Sequence, residues 1–251
     1  MTWFGLALGA LGVLDLVRWN RDRLDGRTIL GLAAAGVYVL ALLVLGDVAV
    51  RTAVATSVVA MLLGLAWVLG SDAALHGGKA ARPGLAIALA ILVIALLLSP
   101  YSPDLAGPLE EWYDELPWAP LLDVSIERAL VVLGSALALT CTGNVLVRLV
   151  LEASGSKVQR SEQQIKGGRV LGPLERLLIL GLGLAGELGA ASIIVAAKGL
   201  LRFPELQSYR AEEGEGGAGE ASAQRIDVLT EYFLIGSMTS WVLALLGLAI
   251  S

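Results

Sequence analysis

Residues 176–198 read RLLILGLGLAGELGAASIIVAAK. A bilayer core of about 30 Å takes about 20 helical residues, so this run is long enough to cross one. It carries a single carboxylate, Glu187, at its midpoint, with Arg176 and Lys198 each 11 residues away. Eleven residues are three helical turns with about 20° of drift, so a continuous helix puts all three on one stripe. An ionised acid at the bilayer centre costs about 3 kcal/mol on insertion scales, and such groups face a cavity or a partner. The segment predicts a membrane span with a polar site near mid-depth.

The rest of the chain has the same character. Of 251 residues 56% are hydrophobic and 16% charged, against about 25% charged in soluble domains. The fold class is therefore all-α, a polytopic transmembrane helical bundle. No alternating ten-residue pattern suggests an outer-membrane barrel. Apolar segments fall at 2–18, 28–46, 50–70, 84–99, 129–151, 176–200 and 228–250. That makes seven spans, or six if the short first segment, which contains Asp15, does not cross. Three regions follow: N-terminal transmembrane helices over 1–99, an external acidic loop over 100–127, and a three-helix region over 128–251 that holds most of the intramembrane polar groups.

Loop charges set the orientation. Arg18, Arg21, Arg23, Arg27, Lys79, Arg82, Lys157, Arg160, Lys166 and Arg169 lie in the first, third and fifth loops; only Arg51, Arg202, Arg210 and Arg225 lie in the others. The positive-inside rule then places the N-terminus outside and the C-terminus in the cytoplasm, in a cell (inner) membrane. One cysteine, Cys141, excludes an internal disulfide, and one histidine, His76, leaves no histidine-based metal site. No cofactor and no nucleic-acid partner are expected from a chain of net charge −5.

In the fifth segment Thr140, Asn144, Arg148 and Glu152 recur every four residues, a polar stripe on one helix face. Two readings stand for Thr140 and Asn144: interhelical hydrogen bonds worth around 1 kcal/mol, or a ligand site level with Glu187. The sixth segment opens with Gly172 near the N-cap, Pro173 in the first turn and Glu175 at the positive end of the helix dipole. The seventh carries Glu231 and Tyr232 at its outer end, where Glu231 would pair with Lys198 or Arg202. Asp104, Glu110, Glu111, Asp114, Glu115 and Asp123 make the 100–127 loop acidic, and Trp112, Tyr113 and Trp118 suit a short helix at the interface. A solvated acidic face is the plain reading there, since no EF-hand spacing is present. The cytoplasmic 152–175 loop is basic enough to meet an anionic leaflet or dock a soluble partner.

Three ordered motifs in the last third resemble a family of bacterial polytopic membrane proteins of unknown function. Its pattern combines G-x-x-I-G-x-L-E-R, A-A-K-x-x-x-R-F and E-Y-x-x-x-G-[TS]. Here the counterparts are Gly168 to Arg176 (first glycine shifted by one), Ala196 to Phe203, and Glu231 to Ser237. The similarity covers about 168–245 and implies no known activity. It selects Glu175, Arg176, Lys198, Arg202, Phe203, Glu231 and Tyr232 as the functional set.

The sequence thus suggests a transport- or channel-like protein with a cation or proton site between segments five to seven, built from Glu187, Asn144, Thr140, Arg176, Lys198, Glu231, Glu175, Arg202 and Tyr232. The alternative is a membrane scaffold or signalling subunit, in a homo-oligomer or with a cytosolic partner recruited by the 152–175 loop. No nucleophile–base pair or metal-ligand set indicates an enzyme.

Overall fold

The computed structural model describes residues 1–18, 25–75, 81–117, 124–155, 168–197 and 219–251. Among them there is no strand, and every element is helical. The helices are α1 (Thr2–Val17), α2 (Gly26–Leu45), α3 (Val50–Leu75), α4 (Arg82–Leu97), α5 (Pro108–Asp114), α6 (Ile126–Thr140), α7 (Thr142–Ala153), α8 (Gly168–Leu184), α9 (Leu188–Ala197) and α10 (Gly219–Ile250). Three stretches are long and apolar enough to cross a membrane: Gly26–Leu45, Val50–Leu75 and Thr230–Ile250. A fourth arises if α6 and α7, bent by 51° across Cys141, count as one. The apolar segments expected at 2–18 and 84–99 form the shorter helices α1 and α4.

Far from being marginal, α1 is the centre of the bundle, with 11 of its 16 residues buried. Its glycines bring it against α6 backbone to backbone. A Cβ at Gly5 would lie 3.0 Å from the Leu130 carbonyl carbon, and one at Gly12 would lie 2.6 Å from that of Leu137. Small residues four apart permit this approach, and Gly134 of α6 returns the contact onto Gly5. Side-chain caps fix two neighbouring helix starts. Asp25 accepts from the Arg27 amide at 3.0 Å and forms a capping box with Thr28, while Ser125 accepts from the Arg128 amide at 3.3 Å.

The bundle has two ends. At one, Trp3 Nε1 donates to the Tyr101 carbonyl at 3.2 Å, Thr2 to that of Pro103 at 3.0 Å, and the Ala106 amide to that of Gly46 at 3.1 Å. The short interfacial helix expected near Trp112 is α5, and Tyr113 ties it to the Val124 carbonyl at 3.0 Å. At the other end lie Arg18, the start of α2, and Gly84 of α4 against Leu149 of α7. We call these the Trp3 end and the Arg18 end.

The last helix alters the expected topology. Gly236 of α10 lies by Leu151, near the Arg18 end, whereas Ser251 accepts from Arg128 Nε at 2.6 Å at the Trp3 end. Helix α8 runs the same way, with Arg176 level with Ser240 and Gly183 against Leu248. Met1 and Ser251 both lie at the Trp3 end of the bundle, and residues 176–197 are not one continuous helix.

Gly186 is the reason. It takes φ +81, its amide donates to the Gly183 carbonyl at 3.0 Å, and the Glu187 amide donates to that of Leu182 at 2.8 Å. These are the two bonds of a Schellman stop, which favours glycine because an L side chain is strained there. At the other end of α8, Pro173 lies inside the helix, not at its start. The helix begins one turn earlier, at Gly168.

Candidate functional site

The α6–α7 joint is written in the sequence Leu139-Thr-Cys-Thr-Gly-Asn144. The Thr140 hydroxyl donates back to the Ala136 carbonyl at 2.7 Å, a bond that bends helices. Gly143 adds the lowest propensity of any residue but proline. Beyond the bend the Asn144 amide bonds the Cys141 carbonyl at 3.0 Å, three residues back. The expected stripe from Thr140 to Asn144 is therefore interrupted between those two residues.

Into this joint α8 inserts Arg176, 1% exposed. Its Nε donates to the Leu139 carbonyl at 2.8 Å, one terminal nitrogen to Ser240 Oγ at 3.0 Å, and the other to Asn144 Oδ1 at 2.5 Å. Gly143 makes room: a Cβ there would lie 3.0 Å from Arg176 Nε and 3.2 Å from its Cζ. Glu175, 5% exposed, accepts from Trp241 Nε1 of α10 at 2.7 Å. Ser240 is the midpoint of the apolar stretch Thr230–Ile250, so Arg176 meets α10 at the middle of that stretch.

Glu187 moves the other way. It immediately precedes α9, its carbonyl accepting from the Ala191 amide at 3.1 Å, and is exposed. Because Gly183 already packs on Leu248, Glu187 belongs near the Trp3 end and is not beside Asn144 or Thr140. Glu231 is exposed towards the Arg18 end, and Tyr232 sits edge-to-face with Phe233 at 6.0 Å. Lys198, Arg202 and Phe203 lie outside the described residues, as do His76, Trp118 and residues 156–167. Of the residues selected by sequence, the structure joins Arg176 to Asn144 and brings Glu175 to the adjoining face of α10.

A second polar group meets the joint at Thr142 and Cys141. Asp15 of α1, 5% exposed, accepts from Trp67 Nε1 at 3.1 Å and pairs with Arg18 at 3.4 Å. Thr142 Oγ1 is buried beside that carboxylate, but no partner meets it in hydrogen-bond geometry. Asp15 and Arg176 are both near enough to Cys141 to act on it electrostatically. The joint thus meets both an acid and a base.

These groups were missed by sequence reasoning, although Asp15 gives the same signal as Glu187, an acid within an apolar run. Among the described residues no group of three or more His, Cys, Asp or Glu is placed to hold a metal ion. No protein-family model matches the chain, and no curated protein or solved structure matches it either.

Proposed function

We propose that the chain is an integral membrane transport protein whose polar element is the α6–α7 joint closed by Arg176. One observation carries the reading: a buried guanidinium bonds α6, α7 and α10 from α8. Ionisable residues within the membrane mark ion or substrate paths. Interrupted helices at mid-depth are how many transporters build their sites, because unwound backbone offers free carbonyls and amides. The Leu139 carbonyl is such a group, and Arg176 holds it. The Arg18 end, with Arg27 and Arg82, faces the cytoplasm under the positive-inside rule, and the Trp3 end with its acidic 100–117 segment faces outside.

The transported species in this reading is a proton or small ion. The test is flux through the reconstituted protein, driven by gradients of H⁺, Na⁺, K⁺ or Cl⁻ and read with ion-sensitive dyes. Arg176→Met lowers flux by about tenfold or more, a barrier change of about 1.4 kcal/mol, while Glu187→Gln leaves it unchanged. Flux equal to empty vesicles for all four ions, or full flux in folded Arg176→Met, overturns the proposal.

A further inference from the structure

Arg176 leaves one buried acid of the joint unused. Asp15 precedes Arg18, the C-cap of α1, by three residues, about 4.5 Å of helix. A buried carboxylate is tolerated when its lone pairs are met, and an ionised one offers about four acceptor sites. Two are engaged: Trp67 Nε1 donates to Oδ2 at 3.1 Å, and one Arg18 nitrogen approaches Oδ1 at 3.4 Å. The ion pair is loose. A closed guanidinium–carboxylate fork makes two bonds of about 2.7–2.9 Å, whereas Arg18 makes one long contact and its buried Nε meets no partner.

Thr142 offers the third contact. It is 4% exposed, and its hydroxyl lies against the carboxylate without a partner in hydrogen-bond geometry. The chemistry of these three neighbours selects the ligand. Trp67 and Arg18 only donate, so their N–H groups, turned on the carboxylate, oppose a metal cation. A proton needs no shell of oxygen ligands. A hydroxyl both donates and accepts, so Thr142 serves either form: it donates to the carboxylate and accepts from the acid.

We infer that Asp15 is a reversible proton-binding site, in which the acid formed on the carboxylate donates its O–H to Thr142 Oγ1. The proton comes from water at the Arg18 end. One O–H bond forms, the carboxylate loses its charge, and Arg18 keeps its own. Thr142 opens α7 directly after the bend, so loading is felt at the joint that Arg176 closes. Among the described residues, the charged or titratable groups that act on Asp15 are Arg18 and Cys141. On the packed helices, α2 turns Arg27 outward and sets Tyr38 on Gly9, and α3 carries Asp72 about one and a half turns beyond Trp67. Arg82 opens α4, Arg128 of α6 is at the Trp3 end, and Arg148 follows Thr142 by six residues along α7. Proton binding at Asp15 stands apart from the transport reading; where both hold, H⁺ is the transported ion.

The experiment is pH-difference infrared spectroscopy of the full chain in maltoside micelles, which have no ester carbonyl. Buffer is exchanged from about pH 9 down to the ordinary aspartate value of about 3.9. The expected result is a carboxylic C=O band that rises reversibly on acidification and is missing in Asp15→Asn. Thr142→Val is tolerated, because the hydroxyl makes no bond in the structure. It raises the frequency of the band by removing the acceptor, and it moves the midpoint by about one pH unit, the weight of one hydrogen bond. Difference spectra that Asp15→Asn leaves unchanged overturn the inference. So does Thr142→Val with band and midpoint in place, and this variant decides alone if Asp15→Asn does not fold. A titrating Asp15 in a protein without ion flux keeps the proton site and removes the transport reading. Flux of another ion with no such band does the reverse.

Discussion

Substituting Gly143 separates a joint built around Arg176 from a joint that merely bends. In Gly143→Ala the new methyl would lie 3.0 Å from Nε, 3.2 Å from Cζ and 3.4 Å from the second terminal nitrogen of Arg176. The guanidinium must give ground, and its bonds to Leu139, Ser240 and Asn144 leave no slack, at 2.8, 3.0 and 2.5 Å. Overpacking of this kind costs about 1–3 kcal/mol, while alanine returns about 1 kcal/mol of helix propensity. Gly172→Ala is the matched control. Its methyl would meet Arg176 at 3.6 Å and Asn144 at 3.7 Å, ordinary contacts, so only the propensity gain remains. Propensity about cancels between the two variants, and Gly143→Ala should be less stable than Gly172→Ala by about 1–3 kcal/mol. Reversible unfolding in mixed micelles measures this. In an Arg176→Met background the difference should vanish, since the colliding group is gone. Equal stabilities, or a difference that survives the loss of Arg176, refute the packing described for the joint.

Two further substitutions probe the acid that meets the joint at Thr142 and the stop in α8. Trp67→Phe removes the indole donor 3.1 Å from Asp15 and leaves a buried carboxylate short of a partner, at a cost of about 1–3 kcal/mol. An unchanged unfolding midpoint would show that this bond does not hold Asp15. Gly186→Ala meets no neighbouring atom, so its only penalty is the left-handed backbone at φ +81, about 1–2 kcal/mol. A stabilised variant in the same unfolding assay would mean that α8 prefers to continue through residue 186, against the stop seen here.

The helical class and most helix positions were legible in the sequence, because long apolar runs without strand alternation admit few other structures. Depth was not. Placing Glu187 at the centre assumes an unbroken helix through residues 176–198, which Gly186 interrupts. A glycine between apolar residues looks the same in composition whether it packs or takes a positive φ. The bonds from Gly186 and Glu187 to Gly183 and Leu182 are what distinguish the two cases. The fifth segment differs in the same way, since the face from Thr140 to Asn144 assumes a straight helix where the structure bends. Arg176 and Asn144 are both named from the sequence, but their meeting depends on a helix crossing that no periodicity reports.

The same logic that overvalued Glu187 explains why the charges lie where they do. A buried acid or base is costly unless it is paired and hydrogen-bonded. Asp15, Arg18, Glu175 and Arg176 are all at most 6% exposed, and they sum to zero charge in two groups at one joint. Each is tied to a different helix from its own or to a neighbour in the same group: Asp15 to Trp67 and Arg18, Glu175 to Trp241, and Arg176 to α6, α7 and α10. Bending or straightening the joint moves the Leu139 carbonyl and Asn144 relative to α8, and so requires Arg176 to release both at once. A packing device needs no such coupling, because apolar residues of similar volume hold helices together at lower cost. In the proposed transport reading, this coupling is what gives the joint two discrete arrangements, which a passive bend lacks.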